Sequence, residues 1–241
     1  MIVAFLTLLA AGIVKGAIGS GVPVIVVPIF TMLYNVRVAI ALLVVSNLCS
    51  NALQVWQYRH HLLPWRFLAS FSIAGCAGIV VGTWGLVALS HDTLSLGVAG
   101  AIVLYLAIKL LRRKMALSMA WAERLVLPVG LIGGVLQGAA GMSAPASITF
   151  LNAMRLDRRV FIGSISVFFC AITVAQIPAL MAAGLLSLEL TLYSAAAFAV
   201  IALGMPLGAA LGKRLPYVWF DNLIVLLLAA IAVKIITDVF L

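Results

Sequence analysis

Six apolar runs of about twenty residues, each bounded by a short charged loop, decide most of what this chain can fold into. They cover residues 36–56, 67–89, 94–111, 161–183, 188–211 and 220–238. At the rise of an α-helix such a run crosses a hydrocarbon core of about 30 Å. Two further apolar stretches, 1–34 and 125–154, are longer, and each is interrupted in its middle by glycine and proline. With 66% of residues apolar and only 9% charged, water is not the main solvent. The expectation is an all-α integral membrane protein.

The net charge of +9 does not point to nucleic acid, because the fifteen Lys and Arg residues are spread over short loops. Topology explains them better. Cys49, Cys76 and Cys170 fall inside apolar segments without metal-ligand spacing and read as small packing residues. The first residues lack the basic region of a signal peptide, so the first segment is expected to stay in the mature protein.

A shift of 122 positions lays Gly16-Ala-Ile-Gly19-Ser20-Gly21-Val-Pro23 over Gly138-Ala-Ala-Gly141-Met142-Ser143-Ala-Pro145. The same shift pairs Gly12 with Gly134, Arg37 with Arg159, Gln54 with Gln176 and Gly82 with Gly204. A glutamine and an arginine in register across a hydrophobic chain indicate duplication, giving repeats at 1–115 and 116–241 of one transmembrane domain. The loops at Arg59 and Arg66, Lys109 to Arg124, Arg155 to Arg159, and Lys213 with Arg214 are basic, while those at Asp92 and Glu189 are not. All the strongly basic loops become cytoplasmic if each interrupted stretch enters and returns on one side, leaving only Arg37 outside. Each half then holds a re-entrant or broken helical hairpin plus three transmembrane helices, about ten helical segments in all, with the second half inverted.

Irregular backbone at membrane depth is tolerated only where protein or a water-filled cavity satisfies it, so the two breaks are expected to line a site. Ser20 and Ser143 suit an N-cap, and Pro23 and Pro145 the first turn of the half-helix that follows. Two helix N-termini converging near midplane, approached through Gly19, Gly21 and Gly141, would hold an anion, with Met142 beside the second. Lys15 lies about 20 Å along the first half-helix, while the six carboxylates all lie near segment ends. It either takes an anionic counter-charge or snorkels to an interface. Asn47, Asn51 and Gln54 share one helical stripe, and Gln176 repeats Gln54. Their amides either orient an oxyanion or join helices; Asn47 is read as structural, Asn51, Gln54 and Gln176 as ligands. Two glycine ladders, Gly130, Gly134, Gly138 and Gly204, Gly208, Gly212, read as packing faces, and Trp56, Trp65, Trp84 and Trp219 as interfacial anchors. No histidine or carboxylate pair stands at membrane depth for hydrolysis, so an enzyme is not expected.

The paired breaks, the small-residue segments 78–85 and 204–212, the two similar halves and the length of 241 residues resemble the TauE/SafE sulfite exporter family of permeases. The resemblance implies transport of sulfite, sulfoacetate and related organosulfonates across a bacterial inner membrane. It agrees with the anion site read from the residues. An anion channel and a non-transporting membrane scaffold stand as alternatives. Expected partners are a small organic or inorganic anion and the bilayer, with a homo-oligomer left open and no nucleic acid, cofactor or metal ion. Direction stays open, although an inside-negative potential drives an anion outward without a coupling ion.

Overall fold

The computed structural model describes residues 2–111, 116–214, 225, 226, 228–235 and 237, and all its regular structure is helical. The helices are α1 (Ile2–Ile18), α2 (Val22–Leu33), α3 (Val36–Tyr58), α4 (Trp65–Ala88), α5 (His91–Leu111), α6 (Met119–Ala140), α7 (Ser147–Ala153), α8 (Arg158–Ala182) and α9 (Leu188–Arg214). A further helical segment lies within 225–237. Among them α3, α4, α6, α8 and α9 are long and apolar enough to cross a membrane, α1 and α2 are shorter apolar helices, and residues 91–107 of α5 are apolar as well. This is the helical membrane architecture expected. Trp219, Arg113, Asp221 and Asp238 lie outside the described residues; Trp56, Trp65 and Trp84 are exposed, as anchors at a lipid boundary are.

Glycine sets both breaks. Gly19 at φ 83° and Gly21 at φ 114° occupy the left-handed region that a side chain disfavours, and they stop α1 and start α2. Gly141 at φ 67° ends α6 in the same way.

The glycine ladders bring backbones into contact. A Cβ on Gly12, Gly16 or Gly208 would meet the carbonyl oxygen of Ile201, Met205 or Ile13, so α1 and α9 run parallel with almost nothing between them. On α4 and α6 the same holds for Gly78 against Leu131, Gly82 against Val135 and Gly134 against Gly75. In lipid, where helices gain nothing by excluding water from one another, such close van der Waals packing is what holds a pair together. The ladders thus join each half of the chain to the other, α1 to α9 and α4 to α6.

Between these pairs α3 and α8 cross antiparallel: Asn47 Nδ2 donates to Thr173 Oγ1 at 3.3 Å and Ser166 Oγ to Gln54 Oε1 at 3.0 Å. Phe71 stacks on Phe168 with ring centroids 3.9 Å apart and ties α4 to the same centre.

The loops sort by charge at the two ends of the bundle. Leu63 N donates to Ser164 Oγ, which sets the loop after Arg59 beside the start of α8 and its arginines. Leu117 N donates to Ala153 O, which brings the 116–118 segment to the same end. Gly212 packs on Ala17, whose carbonyl accepts from Arg158, so the end of α9 arrives there as well. Arg37 stands at the other end, beside the last turn of α4. Its guanidinium donates to the carbonyls of Leu86, Val87 and Leu89 at 3.1, 3.2 and 3.0 Å. These are the orphan acceptors of a helix C-terminus, where a cation is favoured. That explains the one arginine the charge rule leaves on the less basic side.

Candidate functional site

Lys15 is among the most tightly enclosed of the expected site residues. It is 1% exposed, so it does not snorkel, and its Nζ donates to the neutral Asn51 Oδ1 at 2.7 Å. Asn51 Nδ2 donates onward to Asn47 Oδ1 at 2.9 Å, and Asn47 to Thr173 on α8. A chain of polar groups therefore runs from α1 through α3 to α8. Asn47, expected to join helices, does so as its middle link.

The two glutamines 122 positions apart make corresponding bonds. Gln54 Nε2 donates to Lys15 O at 3.4 Å, and Gln176 Nε2 to Gln137 O at 3.3 Å. Gln137 occupies in the second half the place Lys15 has in the first, and its Nε2 donates to Gln176 Oε1 at 3.4 Å. Lys15 and Gln137 thus each accept, through their backbone carbonyl, from a glutamine on another helix. All four described carboxylates, Asp92, Glu123, Asp157 and Glu189, are exposed. None is near enough to the centre to serve as counter-ion within the hydrogen bonds formed there.

A cavity of about 10 Å³, room for one water molecule, is lined by Pro23 and Val27 of α2, Asn47 of α3, Gln137 and Gly141 at the end of α6, and Gln176 of α8. It brings together residues of both breaks. A second cavity of about 300 Å³ lies at the basic end, where Ser20 and Gly21 face Asn152, Arg155 and Arg158. Gly19 packs on Ile162 and lines neither cavity. Met142, Ser143 and Pro145 likewise line neither, although Met142 and Ser143 are buried.

Two expectations about the breaks need correction. The serines are not N-caps: Gly21 caps α2 and Ala146 caps α7. The left-handed backbone of Gly21 takes the cap position, which leaves Ser20 facing the larger cavity. Ser143 instead exchanges a hydrogen bond with Ser147 at 2.9 Å, and Pro145 falls in the turn before a seven-residue helix. Nor do the leading glycines of the two breaks meet, although Pro23 and Gly141 share the central cavity. Gly19 lies against Ile162, in the second turn of α8, whose neighbour Gly163 packs on Tyr58; Gly141 lies against Ile40, in the second turn of α3. Positions 40 and 58 are separated by about 27 Å of helix. The cause is the length of α1 and α6, 17 and 22 residues, which carries each break past the middle of the bundle. What the sequence missed was this overlap, together with the arginines around the second cavity.

A family model described as Sulfite exporter TauE/SafE matches residues 4–235 of the chain. The chain belongs to this family. No curated protein and no solved structure matches it. As a TauE/SafE member it is a multi-pass membrane protein of a sulfite-exporter class, and both breaks and both glutamines lie within the matched span.

Proposed function

We propose that this chain is a permease for a small sulfur-containing anion, sulfite or an organosulfonate such as sulfoacetate, in a bacterial inner membrane. The observation that carries this reading is Lys15, fully buried beside amides with no buried carboxylate among the described residues. A lysine at bilayer centre costs about 2.5–3.5 kcal/mol on insertion scales, and an anion passing the amides of Asn51, Asn47 and Gln54 supplies the missing charge. Gln137 and Gln176 present the neutral half of the same path.

Alternating access is supported by two features. The centre holds room for one water, so no continuous wetted path runs through it, which disfavours the channel reading. One pair of helices 122 residues apart in sequence, α3 and α8, runs in opposite directions, as an inverted repeat requires. α1 with α9 and α4 with α6 are parallel pairs drawn from different halves. If the halves are inverted throughout, they can exchange conformations and open the site to either side in turn. By the charge rule the basic end is cytoplasmic, and the membrane potential then favours export.

Purified protein heated with sulfite, with sulfoacetate and with a cation of similar size tests the reading. Saturating anion should raise the melting temperature, by about 2.7 kcal/mol of stabilisation at a hundred times the dissociation constant. Stabilisation by the cation alone would reject the anion assignment.

A further inference from the structure

The 300 Å³ cavity is not accounted for by the polar centre at Lys15. Segment 19–23 separates the two: Gly21 lines the larger cavity and Pro23 the central one. On its inner side the larger cavity meets the first turn of α2, a 12-residue helix whose Gly21 and Val24 line it. The first backbone N–H groups of that helix have no carbonyl to donate to within it, and they carry partial positive charge. Beside them stands Ser20, 3% exposed and lining the same cavity, with no hydrogen-bond partner for its hydroxyl among the described residues. Its oxygen is not sealed off but opens on the cavity, so its hydrogen-bonding capacity is left for whatever enters there.

The mouth of the cavity is cationic. Arg155 and Arg158 line it, and no acidic residue does. Arg158 reaches inward to the carbonyls of Ala17 and Gly16, which sets its guanidinium at the last turn of α1, next to the break. Arg155 holds φ 51°, a left-handed conformation unfavourable for a residue with a side chain; such strain collects at functional sites. Between mouth and inner wall stand the apolar side chains of Ile148, Leu151 and Phe161. A few polar groups on an apolar lining is the usual make-up of a site for a small organic molecule.

We infer that this cavity is a docking site, separate from the centre at Lys15, for a short organic oxyanion. The acidic group sits on the Ser20 hydroxyl and the N-terminus of α2, the carbon body lies against Ile148 and Leu151, and the arginines draw the ligand in. The inference rests on the permease reading, for which this cavity is the first station from the basic end. It adds a second anion on the path and a role for two arginines outside the polar centre.

Ser20→Cys, in a background where Cys49, Cys76 and Cys170 are alanine, tests it by thiol labelling from the basic side. Two methanethiosulfonates are compared, one with a sulfonatoethyl and one with a trimethylammonioethyl group, each rate divided by that reagent's rate with a free small thiol. The anionic reagent should react about tenfold faster, as expected in a cleft lined by one sign of charge. Propane-1-sulfonate should slow the labelling, and propylammonium should not. Equal normalised rates, preference for the cationic reagent, or no protection by the sulfonate would overturn the proposal. If Ser20→Cys does not fold, Ile148→Cys reads the same cavity with the same expected outcomes. Labelling does not depend on flux. A protein that shows this pattern but moves no anion would contradict the permease reading and leave the docking site standing, and the reverse result would do the opposite.

Discussion

Replacing Lys15 by glutamine should abolish most anion transport while leaving the protein folded. Glutamine is the residue the second half carries at the equivalent place, Gln137, so its amide fits a position of this kind. The substitution removes a buried charge whose nearest partner, Asn51, is neutral, so stability should hold or rise. Binding should suffer instead. Truncating one partner of a buried charge pair costs about 2–5 kcal/mol, which is roughly thirtyfold or more in affinity. A divalent anion should lose more than a monovalent one, because the Coulomb interaction scales with ligand charge. Cys170 is the titratable side chain near Lys15 and is the control: Cys170→Ala should retain flux. The readouts are a dissociation constant from ligand-dependent melting and an initial flux in vesicles. A well-folded Lys15→Gln protein with unchanged affinity would place the anion elsewhere.

The second large effect concerns folding. Gly134→Val should leave little folded protein, because a Cβ at Gly134 would overlap the backbone of Gly75 on α4. Overpacking a well-filled interior typically costs about 1–3 kcal/mol, and contact with backbone, which cannot rotate away, puts this site at the upper end. Gly208→Val should behave alike, since it would meet the carbonyl of Ile13. Gly100 on α5 is the contrast: nothing stands within 4 Å of its Cβ position. Gly100→Ala should therefore fold at least as well as the parent, gaining about 0.5–1 kcal/mol of helix stability. Size-exclusion profiles and melting temperatures in detergent report both. Equal yields of the valine and alanine variants would mean that the glycine faces are not what joins the two halves.

The spans were legible in the sequence because hydrocarbon imposes a length and a polarity that few other environments impose. The glycine ladders were legible for a related reason: in a helix of leucine and valine, glycine every fourth residue makes a groove that only another backbone fills. Lys15 stood out by elimination, since no carboxylate was available at its depth. Its burial could not be read that way, because a lysine stem reaches an interface from many positions and only the packing of α1 against α3 and α9 decides. The breaks were located correctly, but their serines are not the helix caps. Serine before proline reads as a cap by local propensity, yet Gly21 in the left-handed region takes the cap position and turns Ser20 toward a cavity. The separation of the breaks depends on how far α1 and α6 run, and apolar composition alone does not say where a helix stops inside the bilayer. Arg155 and Arg158 were read only as topological charge, for no local pattern marks them as lining a cavity beside Ser20.

Anion flux in proteoliposomes tests the central claim most directly. Vesicles holding purified protein are loaded with sulfite or sulfoacetate, and efflux is followed under a potassium diffusion potential of either sign. The account predicts saturable efflux of the anion, accelerated when the interior is negative, with a limiting gradient of about fiftyfold per charge per 100 mV. An organic cation of similar size should not move above the rate in protein-free vesicles. Anion efflux no faster than in those vesicles, or flux of the cation instead, would contradict it.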